Sequence, residues 1–212
     1  MQGLSVGRFG WKSQQASLLA FGGEAYLVDM GITNPLAPTE AGLLRGERAA
    51  AAVRACDAVP ELEDDGVDVL AFANFMRFLA PPPRGPITPQ VTAGEALFRR
   101  AGCGHCHVPE MQTGPSSVAA LDRKPVRLYS DLLLHDLGTG DGIEQGAAKG
   151  NEFRTAPLWG LRHRSRYLHD GRATDLLDSI HEHRGEAMRS TGIVRDFGAT
   201  ERVALVAFRR SL

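Results

Sequence analysis

The chain has 212 residues, of which 43% are hydrophobic, and its formal net charge is −1 at pH 7. This length allows one domain or two small ones with a real core, and the balanced charge gives no reason to expect a nucleic-acid or anionic-membrane partner. No apolar run approaches the length of about 20 residues that a transmembrane helix needs. The stretch Met1–Trp11 lacks the charged and apolar regions of a signal peptide.

The first part of the chain is predicted to be helical. Residues 14–28 form a helix that is weakened by an internal Gly-Gly pair, and residues 39–59 form a second helix with an alanine-rich middle. Cys56 lies on that second helix, where we interpret it as a small buried hydrophobe rather than a reactive thiol. A third, amphipathic helix is expected over 66–80, and the proline-rich stretch 81–89 is the natural boundary between two units.

The second part of the chain is predicted to combine short helices with long loops. Thr92 and Glu95 fit a capping box, so a helix is expected to begin at Thr92 and to lead into the cysteine pair that follows. Further helices are predicted at 175–183 and at 200–210 with Thr200 as N-cap, and loops are predicted at 108–125 and 138–150. No strand pattern of any length is visible. We therefore predict an all-α fold with long loops.

The sequence Cys103-Gly-His-Cys106-His107 is the pattern of covalent c-type haem attachment. Two thiols at this spacing reach the two vinyl groups on one edge of a porphyrin. The histidine that follows then lies under the ring, where its imidazole can bind iron as the proximal ligand. Cys103, Cys106 and His107 are therefore predicted to hold one haem c, with His107 as an iron ligand.

Two other kinds of site use a Cys-x-x-Cys pair. A structural zinc site needs four ligands, usually from two such pairs, and the third cysteine of the chain, Cys56, lies far upstream. A thioredoxin-like redox pair needs a βαβ setting, which the sequence does not show. Haem attachment explains the motif best, and zinc and a redox disulfide remain the alternatives.

A series of segments beyond this motif carries a more specific resemblance. They are Gly7–Lys12, Asp29–Pro35, Cys103–His107, Tyr129–Asp136, Phe153–Gly160, Leu168–Ala173 and His183–Ala187. In these segments, which follow one another along nearly the whole chain, it resembles the C-terminal part of the bacterial di-haem oxidoreductases. These are the thiol oxidoreductase-like branch of the cytochrome c peroxidase and MauG superfamily.

The resemblance implies two cytochrome c-like domains, each with a c-type haem, of which one haem transfers electrons and the other meets peroxide. This chain has a single Cys-x-x-Cys-His. Residues 1–83 are therefore expected to be the helical tail of a first haem domain without its own motif, and residues 84–212 a complete cytochrome c-like haem domain. The expected partners are the missing N-terminal haem domain or a second haem subunit, and a small electron-donor protein.

Expectations about cofactors and location follow from the same resemblance. One covalently attached haem c is expected. Related peroxidases also bind calcium, although no motif in this sequence supports a calcium site. Because haem is usually attached to such motifs outside the cytoplasm, the chain is expected to be periplasmic or otherwise exported, although it shows no signal peptide.

The resemblance also assigns a second iron ligand. In related peroxidases a ligand lies fourteen residues beyond the histidine that His169 matches, and this position is His183 here. His183 is accordingly predicted to be the second axial ligand; the alternative is a helix-terminal histidine that interacts with the last carbonyl groups. Met111 is close to the attachment motif, but the family pattern does not support it. His135 and His169 are interpreted as structural groups.

Four further residues are assigned through the same motifs. Trp11 matches a tryptophan that lies between the two haems of similar enzymes, although a buried interface aromatic is an equally good interpretation. Asp29 matches an acidic group near the peroxide-binding haem, where a carboxylate could move protons. Arg154 and Arg172 lie inside family motifs and are predicted to pair with the haem propionates.

Three functions remain open at this stage. The chain can be the electron-transfer part of a di-haem peroxidase-like oxidoreductase, a single-haem electron-transfer cytochrome without catalysis of its own, or a non-catalytic binding module. A five-coordinate haem beside Trp11 and Asp29 would favour the first, a six-coordinate bis-histidine haem alone the second, and a chain that takes up no haem the third. We favour the first, and expect the isolated chain to be a poor peroxidase.

Overall fold

The structure, a computed structural model, describes residues 5–40, 47–57, 59 and 61–212. The chain forms two compact units. The first comprises the described residues of Met1–Gly10 and Gln15–Ala80, and the second comprises Trp11–Gln14 and Pro81–Leu212. The interpretation of residues 1–83 as the tail of another haem domain stays a prediction.

The described part of the first unit contains the helices α1 (Leu18–Met30), α2 (Glu47–Cys56) and α3 (Val67–Arg77). Helix α1 begins after Ser17, whose side chain accepts a hydrogen bond from a backbone amide of the first turn, and it ends at Gly31 in the left-handed region. Of the second helix predicted, residues 41–46 and 58 lie outside the described residues. Cys56 is exposed at the end of α2, so its interpretation as a buried hydrophobe is wrong.

The Gly-Gly pair of α1 lets this helix approach α3 on one side and the segment around Asn34 on the other. A Cβ atom on Gly22 would lie 3.3 Å from the Phe72 ring, and one on Gly23 would lie 3.0 Å from the Asn34 side-chain oxygen. Asn34 is fully buried, and its side-chain amide donates to the Gly23 carbonyl oxygen at 3.0 Å. The two glycines, which weaken the helix by propensity, are therefore needed for packing.

The second unit is built on the helices α4 (Pro89–Arg100), α5 (Leu176–His181), α6 (Met188–Arg195) and α7 (Ala199–Arg209). Helices α4 and α7 cross in backbone contact, since a Cβ atom added to Gly94 would overlap the carbonyl group of Ala204. Beside this crossing the rings of Phe98 and Phe208 pack with centroids 5.2 Å apart. This crossing is the centre of the core of the second unit.

The helix starts in the second unit differ from the predicted ones. Helix α4 begins after Thr88, one turn before the predicted cap Thr92, because Pro89 occupies the first helical position. Helix α7 begins after Gly198 rather than after Thr200. Helix α6 was not predicted at all. Among the described residues, no helix is both long and apolar enough to cross a membrane.

The prediction of an all-α fold is wrong. Two antiparallel sheets of two strands each are present, in which β1 (Met111–Gln112) pairs with β2 (Pro125–Val126) and β3 (Leu134–Asp136) pairs with β4 (Glu152–Arg154). Among the described residues the content is therefore mixed, although helices dominate. Strands of two or three residues are too short to show the alternating pattern by which strands are predicted.

Candidate haem site

The Cys-x-x-Cys-His motif follows directly after helix α4. The helix ends at Arg100, Gly102 turns the chain with a φ of 79°, and Cys103 begins a single 3₁₀ turn. Ala101 is buried in the core, and Cys103 packs against the same core. The motif is therefore held by the α4–α7 crossing rather than by a free loop.

The thiols of Cys103 and Cys106 are free and partly buried. Loss of hydration raises the pKa of both thiols; for Cys106 the carboxylate of Asp131 raises it further. Both groups are therefore neutral thiols at physiological pH. Two thiols at this spacing suit thioether bonds to haem.

His107 ends the motif with its ring near Phe98, at a centroid distance of 6.3 Å. Its Nδ1 atom lies 3.0 Å from the Tyr129 carbonyl oxygen, and because a carbonyl can only accept, the ring proton is on Nδ1. Loss of hydration lowers the pKa of His107 to about 4. The imidazole is therefore neutral at physiological pH, and its Nε2 lone pair is available to a metal.

His183 has a similar arrangement at the end of helix α5. The helix ends at His181, so His183 lies just beyond it. The predicted helix bounds, 175–183, had placed His183 on the helix itself. The Nδ1 atom of His183 donates to the Ser179 carbonyl oxygen at 2.6 Å, and the Thr191 hydroxyl donates to the carbonyl oxygen of His183 at 2.7 Å. Burial lowers the pKa of His183, so this imidazole is also neutral.

The two histidines lie close enough for a charge on His183 to affect the pKa of His107. Loss of hydration is the main cause of the low pKa of His107, and a charge on His183 would lower it further. Two neutral imidazoles, each with Nδ1 fixed by a carbonyl oxygen, are the donors that a haem iron with two axial histidines needs. The residues present therefore fit a haem.

A sequence model of the family described as "Di-haem oxidoreductase, putative peroxidase" matches residues 2–212. The chain belongs to this family. Its cofactor is therefore haem, and its function is of the haem oxidoreductase type.

One solved structure is similar to this chain, at low sequence identity. A solved structure of hydrazine synthase from Kuenenia stuttgartiensis, pressurised with 20 bar xenon, is similar at 21% identity and a TM-score of 0.48. The similarity covers 72% of this chain and 57% of that chain, so this chain spans little more than half the length of the hydrazine synthase chain. No curated protein matches the chain.

Trp11 belongs to an aromatic cluster of the second unit. Its ring meets the edge of His169 at a centroid distance of 6.3 Å, and His169 stacks on Phe153 at 3.9 Å. The ammonium group of Lys12 lies 3.7 Å from the centre of the Phe153 ring. Trp11 is 41% exposed. Its position between two haems stays a prediction.

The other predicted site residues lie in different environments. Asp29 is exposed in the last turn of α1, in the first unit. Arg154 is partly buried on β4, and burial lowers its pKa. Arg172 is exposed and forms an ion pair with Asp170, which a haem propionate would have to displace. The roles of Asp29, Arg154 and Arg172 stay predictions.

His135 connects the two segments that carry the predicted histidine ligands, His107 and His183. Its Nε2 and Nδ1 atoms lie 2.9 Å from a carboxylate oxygen of Asp131 and 2.8 Å from one of Glu186. The amide of Asp131 donates to the Cys106 carbonyl oxygen at 2.8 Å, and Glu186 follows His183 by three residues. Ligand atoms of Cys106, Asp131 and His135 lie within 4.8 Å of one another, but both ring nitrogens of His135 are already engaged. We interpret this group as a structural bridge.

Arg209 is a further residue near the candidate ligands, and none of the sequence motifs includes it. This residue lies in helix α7, where it is only 7% exposed, and it donates to the Leu176 carbonyl oxygen at 2.6 Å and to the Ser179 hydroxyl at 3.2 Å. The signal was its spacing: Arg209 follows the fully buried Leu205 by four residues and Phe208 by one, which places it on the inward face of the helix.

Proposed function

We propose that this chain carries one haem c, covalently attached through Cys103 and Cys106, with His107 and His183 as the two axial iron ligands. We further propose that it is the electron-transfer part of a di-haem peroxidase-like oxidoreductase. The observation that carries this proposal is the pair of neutral imidazoles, each with its Nδ1 proton held by a backbone carbonyl. When bound, haem supplies a reversible one-electron change.

The side chains of this site orient and shield rather than react. The carbonyl oxygens of Tyr129 and Ser179 fix the tautomers of His107 and His183, so that each ring presents Nε2. A hydrogen bond at Nδ1 also makes Nε2 a stronger donor. Because the pKa of both imidazoles is lowered by loss of hydration, neither ring takes up a competing proton at neutral pH.

If His107 and His183 both bind the iron, they would leave it no free position for peroxide, which would favour electron transfer over catalysis at this site. Peroxide chemistry would then belong to a second haem, in the N-terminal haem domain or in a separate subunit, and a small protein would donate the electrons. The same two ligands would serve a single-haem cytochrome that acts alone, and the presence or absence of a second haem partner distinguishes the two. Covalent haem attachment also supports an exported or periplasmic location.

The test is to express the chain together with haem-attachment machinery and to measure its intact mass after extraction with acidic acetone. One haem should remain bound to the wild type and to a Cys56→Ser variant, whose exposed thiol lies outside the motif. The Cys103→Ser/Cys106→Ser double variant should lose it on extraction. Retention by the double variant, or a wild type that holds zinc in place of haem, would contradict the proposal.

A further inference from the structure

Helix α7 carries a buried positive charge that the proposed ligands do not explain. Arg209 is 7% exposed. Burial lowers its pKa to about 10, which still leaves the guanidinium charged at neutral pH. Within the described ranges no carboxylate forms an ion pair with it, and Asp175 acts on it only through longer-range attraction. A buried cation without a paired anion lowers the stability of the folded state. We therefore expect Arg209 to have a function that offsets this cost.

The guanidinium of Arg209 bridges two residues of helix α5. It donates to the Leu176 carbonyl oxygen at 2.6 Å and to the Ser179 hydroxyl oxygen at 3.2 Å, while that hydroxyl donates to the Leu176 carbonyl oxygen at 2.8 Å. Helix α5 has only six residues, and helices this short depend on tertiary contacts. Arg209 therefore fixes α5 on α7.

Ser179 connects this bridge to the predicted iron ligand. Its hydroxyl is held by Arg209, and its carbonyl oxygen accepts the Nδ1 proton of His183 at 2.6 Å. Ser179 therefore hydrogen-bonds both the Arg209 guanidinium and the His183 ring. The guanidinium thus lies one residue away from a side chain that would hold the haem.

We propose that Arg209 is a positioning residue for the haem site: through Ser179 it holds His183 in its ligating orientation, and its buried charge favours the reduced iron. Oxidised haem carries one more positive charge than reduced haem, so a fixed cation nearby raises the reduction potential. This inference rests on the proposed function, because it requires a haem that His107 and His183 ligate.

The test uses the haem-loaded chain and substitutions at two adjacent arginines. Arg209→Met removes the charge, and Arg209→Lys keeps the charge but cannot bridge two acceptors with a planar fork. Arg210→Met is the matched control, since Arg210 is the exposed neighbour. The readouts are the midpoint potential and the low-spin fraction in the absorption spectrum. Arg209→Met should shift the potential to a more negative value and lose low-spin haem.

The Arg209→Lys variant distinguishes the positioning of His183 from the effect of the charge. It should keep a midpoint potential close to that of the wild type but lose part of the low-spin fraction. The inference is overturned if Arg209→Met changes neither readout more than Arg210→Met does. If Arg209→Met does not fold, Arg209→Lys decides, and a fully retained low-spin fraction overturns the inference. A wild-type chain without low-spin haem would instead overturn the proposed function itself.

Discussion

The Nδ1 atom of His183 donates a hydrogen bond to the carbonyl oxygen of Ser179 at 2.6 Å. This bond attaches a histidine that lies beyond the end of helix α5 to the last turn of that helix, and it leaves Nε2 as the donor atom. His107 is held in the same way by the carbonyl oxygen of Tyr129. The stability of the protein and its reactivity toward peroxide should depend on how the residues around these two rings are held.

Removal of the haem attachment points should weaken the fold. Replacing Cys103 and Cys106 together with alanine should lower the melting temperature and loosen residues 108–172 most, because their long loops need the porphyrin as part of the core. Limited proteolysis of the double variant and the wild type measures this. Cys56→Ala, at an exposed cysteine, is the control and should change nothing. Loops that stay protected in the double variant would contradict haem as their organiser.

The carboxylates around His135 should give the stability a dependence on pH. Burial alone would lower the pKa of His135, but Glu186 and Asp131 raise it above the ordinary value of 6.5. The charged imidazole therefore stabilises the folded state fully below pH 6.5, and this contribution is lost as the pH rises through the raised pKa. His135→Gln should cost more stability at pH 5 than at pH 9, by up to ~1 kcal/mol for each ion pair.

Urea unfolding at the two pH values measures this difference. Arg127→Gln is the control, because Arg127 forms an exposed ion pair with Glu110 that contains no histidine. Its effect should be small and the same at both pH values. A His135→Gln variant whose cost does not change with pH would show that the two carboxylates do not hold a charged imidazole.

The crossing of α4 and α7 should not tolerate a side chain at Gly94. A methyl group there would overlap the Ala204 carbonyl, so Gly94→Ala should cost about 3 kcal/mol of unfolding free energy. Gly192→Ala in helix α6 is the matched control, because no atom lies within 4 Å of an added Cβ. That change should stabilise the protein by up to ~1 kcal/mol through helix propensity. Denaturant unfolding of both variants decides, and equal effects would contradict the close crossing.

Prediction from the sequence was limited where local signals are short or shared by several structures. The attachment motif is a local pattern, so Cys103, Cys106 and His107 could be named from the residues alone, whereas His183 was named through the resemblance to the di-haem oxidoreductases. The strands β1 to β4 could not, because two or three residues carry no periodicity. The N-cap of α4 is Thr88, whereas the sequence predicted Thr92. Both threonines precede a helical pattern, and only the proline at the first helical position distinguishes them.

Arg209 illustrates a different limit. A charged residue in a terminal helix is usually solvated, so composition gives no reason to place it in the core. Its burial depends on hydrogen-bond acceptors from Leu176 and Ser179, which lie 33 and 30 residues earlier in the sequence. Such a contact is a property of the tertiary structure, and only the spacing from Leu205 gave a hint of it.

The isolated chain should be active in electron transfer but a poor peroxidase. Peroxide reduction needs an iron with an open position and a further source of electrons, whereas His107 and His183 would occupy both faces of this iron. Steady-state peroxide consumption with a reduced donor should be slow for the chain alone. It should rise by orders of magnitude when a haem domain with its own Cys-x-x-Cys-His is added, fused or as a separate subunit. Rapid turnover by the chain alone would mean that His183 is not a permanent ligand.

The most direct measurement is the spin state of the haem iron in a His183→Ala variant. The wild type should show a low-spin spectrum, and the variant should keep its covalent haem but become high-spin, since one axial ligand is lost while His107, Cys103 and Cys106 remain. His181→Ala, two residues earlier at the end of α5, is the control and should stay low-spin. An unchanged low-spin spectrum in His183→Ala would contradict the proposed ligand pair and would point to Met111 or another histidine.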